Sequence, residues 1–162
     1  MNWYKKAKQE MTPEELRNYE FEGAGSGHSI TPKKALDYRD GKDEFETLYD
    51  ISNYDDQWRL YNALGQGWSG HWGKVRPSIH LIPKIKSNQP ITIYRASNQN
   101  SIFPGAYVTE SKEYAIYHGE NILNGDYKLS SLEVYPDELM VYDDPHEFIY
   151  IPRSLDIAHK RL

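Results

Sequence analysis

The pattern of apolar residues changes once along the chain, near Pro90, and this change constrains the fold more than any other feature. Before Pro90, apolar residues recur at helical spacing in short segments separated by loops. After it, short runs rich in β-branched and aromatic residues are bounded by glycine, proline and aspartate, which is typical of strands. Helices first and strands later predict an α+β domain, with a helical N-terminal half followed by a mostly antiparallel sheet.

Two predicted helix starts carry the same Thr-Pro pair, at residues 12–13 and 31–32. In each, threonine can cap the helix and proline takes the first helical position, where its missing N–H costs nothing. The second helix is expected to end near Gly41. Two more amphipathic helices are predicted within residues 43–64, with a break at 52–53. Their core-facing residues are expected to be Phe45, Leu48, Tyr49, Trp58, Tyr61 and Leu64.

Two glycine-rich segments are predicted to be loops. Residues 23–29 lack the Lys-Ser/Thr ending of a phosphate-binding loop, so a flexible connector is the preferred interpretation. Residues 65–73 combine four glycines with two tryptophans and a histidine. That composition suits a loop that contacts a ligand or partner, and it equally suits a buried structural turn.

The second half is predicted to contain five strands and one helix. The strands are expected at residues 91–94, 105–109, 127–134, 139–142 and 148–151. The helix is expected over residues 112–118, with Ser111 as its N-cap. Tyr114, Ala115 and His118 then fall on one face of that helix.

Composition excludes several classes of protein. A formal net charge of -5 argues against binding through many phosphates of a nucleic-acid duplex, although a local basic groove is compatible with it. The absence of cysteine excludes a disulfide framework, a thiolate metal site and a cysteine nucleophile. The six histidines show no metal-ligand spacing, so no metal site is predicted. Short apolar runs predict one cytoplasmic domain of 162 residues without a signal peptide or membrane span.

Three polar features lie at the ends of predicted strands. Arg95 directly follows a predicted strand, and its guanidinium can bind a phosphate or a ribose through two hydrogen bonds. Thr109 and Ser111 offer hydroxyls at a strand-to-helix junction, where helix N–H groups also favour a polar ligand. Glu147 stands in an acidic turn that runs into the last strand. Each has a structural alternative when taken singly: a surface ion pair for Arg95, a helix cap for Ser111 and a solvated turn for Glu147.

The order of these features resembles a known family. The segments are Pro-Ile-Thr-Ile-Tyr-Arg-Ala-Ser from residue 90, Ile-Phe-Pro-Gly-Ala-Tyr-Val-Thr-Glu-Ser-Lys-Glu-Tyr-Ala-Ile-Tyr-His-Gly from residue 102, and Asp-Asp-Pro-His-Glu-Phe-Ile-Tyr-Ile-Pro from residue 143. They look like the ADP-ribosyltransferase domains of phage and mobile-element polyvalent proteins. The resemblance covers about two fifths of the chain, and its middle block is the most specific part.

The resemblance implies a mono-ADP-ribosyltransferase of the Arg–Ser/Thr–Glu class, used as an effector against host machinery. Its fold would be a split β-sandwich, with residues 90–152 as the NAD-binding core and residues 1–89 as a supporting or target-facing part. The implied catalytic residues are Glu147, Arg95 and Ser111, and the implied NAD contacts are Arg95, Tyr94, Thr109, Ser111, Tyr107 and Tyr114. NAD would be a co-substrate, no metal would be needed, and the target would be a protein, with nucleic acid left open.

The chemistry suits these residue types. Cleavage of the nicotinamide–ribose bond builds an oxocarbenium-like cation, which a nearby carboxylate stabilises. Neutral nicotinamide needs no strong general acid to leave, and a tyrosine ring can stack on it. Two positions depart from the family. Pro145 replaces the Glu or Gln two residues before the catalytic glutamate, so the acceptor stays open, and hydrolysis by water is a variant. His146 replaces an Asn, and a hydrogen-bonded loop histidine is preferred over an acceptor-side base.

A non-enzymatic alternative rests on the acidic, tyrosine-rich character of the chain. Its 14 tyrosines and the acidic segment 49–56 can imitate phosphate and base, so that the protein would block a host nucleic-acid-binding complex. Solvated helix caps explain that segment more simply. The two hypotheses differ in their sensitive residues, which are Glu147 and Arg95 for the enzyme and Asp55 and Asp56 for the binding protein.

Overall fold

The computed structural model describes residues 12, 14, 29–54, 57–65, 75–98, 101–142, 144 and 146–162, and all structural statements concern these. The helices are α1 (Pro32–Arg39), α2 (Leu48–Ser52), α3 (Trp58–Ala63), α4 (Ile82–Lys86), α5 (Lys112–Asn121) and α6 (Leu155–Lys160). The strands are β1 (Ile91–Ser97), β2 (Tyr107–Val108), β3 (Lys128–Val134), β4 (Leu139–Met140) and β5 (Phe148–Tyr150). Short 3-10 turns cover Ile79–Leu81 and Pro136–Glu138. The predicted α+β class is confirmed, although β2 and β4 are shorter than expected.

The described strands form small antiparallel sheets. β1 pairs with β3 over the full length of both, and β5 lies between β2 and β4. A bridge between Tyr94 of β1 and Thr109, just after β2, joins the two sheets through backbone hydrogen bonds of 2.7 and 3.0 Å. The chain therefore brings Arg95, next to Tyr94, and Thr109 to the junction of the two sheets.

Local capping chemistry explains where the helices begin. The hydroxyl of Thr31 accepts a hydrogen bond from the N–H of Lys34 at 3.1 Å, as the Thr-Pro signal predicts. Helix α2 starts with a reciprocal cap between Thr47 and Asp50, with distances of 2.9 and 3.1 Å. The predicted helix start at residues 12–13 and the connector at 23–29 fall almost wholly outside the described residues.

The core-facing stripe predicted for residues 43–64 is partly right. Leu48 and Leu64 are fully buried, but Trp58 is 67% exposed and Tyr61 is 39% exposed. The reason lies in the register of α3, whose inward residue is Leu60. A residue two positions away from Leu60 points about 200° around the helix axis, so Trp58 faces outward. Leu64 lies one turn after Leu60 and shares its buried face.

A buried carboxylate ties the C-terminal helix to the core. Glu138 is fully buried, and its oxygens accept hydrogen bonds from Arg161 at 2.7 and 2.9 Å and from two backbone N–H groups at 3.0 Å. Arg161 also donates to the hydroxyl of Tyr150 at 2.8 Å. A buried charge that lost this partner would be strongly destabilising, so the arrangement fixes α6 against β5. At its other end, β5 starts at Phe148, directly after Glu147.

Candidate functional site

A cleft opens where β1, the end of β2 and α5 meet. The volume of this cleft that is open to water is about 200 Å³. The predicted site residues that line it are Tyr94, Arg95, Tyr107, Thr109, Tyr114 and Glu147. Ala115 and His118 also line it, so the face of α5 expected from the sequence does point into the cleft. The fold therefore gathers side chains from four separate stretches of the chain around one cavity.

Arg95 is the buried cation of the cleft. The sequence places it at a strand end, but β1 continues through Ser97, because Ala96 and Ser97 still pair with β3. Arg95 is 6% exposed, and its Nη1 donates to the carbonyl oxygen of Tyr107 at 2.7 Å. Burial lowers the pKa of Arg95 to about 10, and the nearby charge of Glu147 opposes this shift. The guanidinium therefore stays charged at neutral pH and attracts an anionic group.

Glu147 is held by phenols directly before β5. The hydroxyl of Tyr142 donates a hydrogen bond to its Oε2 at 2.7 Å, and the phenol of Tyr114 interacts with it electrostatically. Burial raises the pKa of both tyrosines well above the ordinary value, and the charge of Glu147 raises it further. Both phenols therefore remain neutral, and the hydrogen bond from Tyr142 orients the carboxylate. Tyr142 also contacts the ring of Tyr107, with 5.3 Å between the ring centroids.

Asp144 does not line the cleft among the described residues, but it lies in a neighbouring groove and interacts electrostatically with Glu147, and the sequence reasoning missed it. Burial is the main cause that raises the pKa of Asp144 to about 7, followed by the charge and the hydrogen bond of Glu147, while His146 lowers it. With a pKa of about 7, the Asp144 carboxyl group is partly protonated at neutral pH. The available signal was the spacing of two acids, three residues apart, in one short turn.

Asp144→Asn is expected to change how stability depends on pH. The folded-state pKa of Asp144, about 7, lies above its ordinary value of 3.8, so the folded protein holds an extra proton between these values. The stabilisation from this proton is full at low pH and is lost as the pH rises through 7. An amide cannot ionise, so at pH 8 the variant should exceed the wild type in stability by about 1 kcal/mol, allowing for solvent screening.

Urea denaturation at about pH 5 and about pH 8 measures this difference. Asp43→Asn, at an exposed position, is the matched control and should keep the wild-type dependence. The same pH dependence in the wild type, Asp144→Asn and Asp43→Asn would contradict the raised pKa of Asp144.

A buried acid–histidine pair lies beside the cleft. The Nδ1 of His146 is 2.9 Å from Oε1 of Glu110, and the two side chains are 1% and 0% exposed. The hydroxyl of Thr109 donates to the other oxygen of Glu110 at 3.2 Å. The imidazole stacks against the ring of Tyr114, with 5.8 Å between the ring centroids. This agrees with the preferred interpretation of His146 as a hydrogen-bonded loop residue, and Glu110 is a partner that the sequence reasoning missed.

Ser111 has a capping role in the structure. Its hydroxyl accepts a hydrogen bond from the N–H of Tyr114 at 3.1 Å, and its own N–H donates to the hydroxyl of Thr109 at 3.0 Å. It is 6% exposed and is not among the described residues that line the cleft. The geometry thus supports the structural alternative for Ser111, while Thr109 both lines the cleft and orders the junction.

Some features predicted from the sequence lie outside the part of the chain that the structure describes. Apart from Gly65, the loop at 65–73 lies outside the described residues, as do Asp55 and Asp56. Across the ranges that are described, no group of three or more His, Asp or Glu residues could hold a metal ion. In the same part of the chain, every helix is too short or too polar to cross a membrane.

Comparison with known proteins yields no match. No protein-family model, no curated protein and no solved structure matches the chain. The resemblance to ADP-ribosyltransferases therefore stays a prediction, and the cleft that holds Arg95 and Glu147 is the feature of the structure that points to a function.

Proposed function

We propose that the protein is a mono-ADP-ribosyltransferase. It cleaves NAD at the nicotinamide–ribose bond and transfers ADP-ribose to a macromolecular target, for which a protein is the favoured class. The observation that carries this proposal is a single cleft in which the buried guanidinium of Arg95 and the carboxylate of Glu147 act on each other electrostatically among tyrosine rings.

Arg95 would bind the phosphate and the nicotinamide-side ribose of NAD. A guanidinium presents its donors in a planar fork that matches phosphate oxygens. The hydrogen bond to the carbonyl oxygen of Tyr107 fixes the orientation of this fork within the cleft. Because Arg95 is buried, its charge is weakly screened and attracts the phosphate more strongly than a surface arginine would.

Glu147 would stabilise the charge that develops during bond cleavage. The nicotinamide ring of NAD carries the positive charge at the start, and the ring leaves as a neutral molecule with the bonding electrons. The ribose then becomes the cation, and the carboxylate of Glu147 offsets that charge. The hydrogen bond from Tyr142 holds the carboxylate in place. The attacking nucleophile loses a proton, which the carboxylate of Glu147 in the cleft can accept.

We propose further that the two small antiparallel sheets, which meet at the bridge between Tyr94 and Thr109, belong to a split β-sandwich. The rings of Tyr94, Tyr107 and Tyr114 line the cleft and offer faces on which nicotinamide can stack. We accordingly assign NAD binding to this junction.

Incubation of the purified protein with labelled NAD tests the function. We expect release of free nicotinamide, together with transfer of label to a target when cell proteins are added. Slow release without any target would correspond to hydrolysis, in which water replaces the acceptor. Absence of both NAD binding and NAD consumption, with and without cell proteins, would contradict the proposal.

A second candidate function is the non-enzymatic binding protein. The observation that favours it is the exposure of Trp58, Tyr54 and Tyr61 at 67%, 41% and 39%, since exposed aromatic residues are common at protein interfaces. Under this alternative, Trp58→Ala would abolish capture of a partner, and loss of the Glu147 carboxylate would leave capture unchanged.

A further inference from the structure

The buried pair of Glu110 and His146 connects two distant segments of the chain at the candidate site. Glu110 lies between Thr109 and Ser111, at the junction of β2 and α5, whereas His146 lies directly before Glu147. Both carboxylate oxygens of Glu110 have partners, namely the imidazole Nδ1 of His146 at 2.9 Å and the hydroxyl of Thr109 at 3.2 Å. The imidazole Nδ1 of His146 and Oε1 of Glu110 therefore form one buried hydrogen bond.

The backbone at His146 is held in an unusual conformation. Its φ is +67°, in the left-handed region that few residues other than glycine adopt. The N–H of His146 donates to the carbonyl oxygen of Ala63 at 3.3 Å. The imidazole also lies so close to Gly65 that a Cβ atom there would be 1.8 Å from its Nε2. Contacts with Glu110, Tyr114 and Gly65 therefore hold the ring from three sides.

We propose that Glu110 and His146 are positioning residues that set the place of the Glu147 carboxylate relative to the cleft. This inference rests on the proposed function, because it takes Glu147 as the catalytic carboxylate. The backbone conformation of His146 sets the direction in which the Glu147 side chain projects. Glu110 anchors that backbone to the wall formed by Thr109 and α5. Moving the imidazole away from Glu110 would leave a buried charge without its partner. This energetic cost keeps the turn that carries His146 and Glu147 in one position.

A role in stability alone makes a different prediction, and the chain offers a matched control. Glu138 is another fully buried carboxylate, paired with Arg161. It is not among the described residues that line the cleft. Loss of Glu138 should reduce the folded fraction without changing the activity of each folded molecule. Loss of Glu110 should reduce both the folded fraction and the activity of each folded molecule.

The kinetic test compares Glu110→Ala, Glu110→Gln and Glu138→Ala in nicotinamide release from NAD. For Glu110→Ala we expect kcat per folded molecule to fall by about tenfold to a hundredfold, with KM for NAD nearly unchanged, as for a misplaced catalytic group. Glu110→Gln keeps the shape and an acceptor for His146, so it should retain most of the activity. Equal kcat per folded molecule in Glu110→Ala and Glu138→Ala would overturn the proposal.

A titration of Asp144 tests the same proposal without any reference to activity. Carboxyl NMR follows the Asp144 carboxyl group, whose pKa is raised to about 7 mainly by burial and further by its interaction with Glu147. Among the residues that the structure describes, the other ionisable groups near Asp144 are His146 and, across a second groove, Glu46 and Arg59, and all of them are retained in both variants of Glu110.

Glu110→Ala and Glu110→Gln remove the same charge, so a difference between their Asp144 titration midpoints reports a change in the position of Glu147. We expect the midpoint to fall by at least about one pH unit in Glu110→Ala and to stay near the wild-type value in Glu110→Gln. Equal midpoints in the two variants would overturn the proposal. If the wild-type protein releases no nicotinamide, the proposed function fails, and this titration still decides whether the pair positions Glu147.

Discussion

Glu147→Gln is expected to lower kcat for nicotinamide release by about 10²- to 10³-fold while NAD binding survives. The amide has the size of the carboxylate and can still accept the hydrogen bond from Tyr142. It lacks the negative charge that stabilises the developing ribose cation, so the loss should fall on the chemical step. Steady-state kinetics measure kcat, and calorimetry measures the Kd for NAD.

The matched control for this substitution is Glu113→Gln. Glu113 lies on the exposed side of α5 and does not line the cleft among the described residues. Its variant should keep wild-type kcat. If Glu147→Gln kept more than about a tenth of the wild-type kcat, the assignment of Glu147 as the charge-stabilising group would be wrong.

Arg95→Lys is expected to weaken NAD binding by about tenfold to a hundredfold, which corresponds to one lost charge-assisted hydrogen bond. Lysine keeps the positive charge but lacks the planar fork that binds phosphate through two parallel bonds. It also cannot reproduce the rigid contact of the guanidinium with the carbonyl oxygen of Tyr107. The effect should therefore appear in the Kd for NAD measured by calorimetry.

Arg39→Lys provides a matched control, because Arg39 also donates to carbonyl oxygens. Its Nη2 lies 2.7 Å from the oxygen of Asp137 and 2.8 Å from that of Ile151. Its variant should lose stability in urea denaturation and keep the wild-type Kd for NAD. An unchanged Kd in Arg95→Lys, with the protein folded, would exclude Arg95 as the phosphate ligand.

Features governed by local chemistry could be predicted from the sequence. The cap by Thr31, the cap by Ser111 and the start of β1 at Ile91 depend on neighbouring residues, and all three appear as expected. The error at Trp58 is also instructive. In a helix of only six residues, helical spacing does not decide which face is buried, and the contacts of Leu60 with the core decide it instead.

The candidate site could be predicted only in part, because its completion depends on distant pairing. Motif order suggested that Arg95 and Glu147 belong together, but the cleft itself requires β1 and β2 to meet at Thr109. Glu110 was missed for the same reason, because its partner His146 is 36 positions away. Asp144 lies only three residues from Glu147, and its raised pKa comes mainly from burial, which the sequence does not show.

The contact between Gly65 and His146 has a consequence for natural variation in this sequence. Gly65 has a φ of +81°, and a side chain there would occupy the space of the imidazole. A relative with a larger residue at position 65 would have to carry a smaller one at position 146, even though 81 positions separate them. We therefore expect positions 65 and 146 to covary, so that related sequences with a changed residue at one of them also have a changed residue at the other.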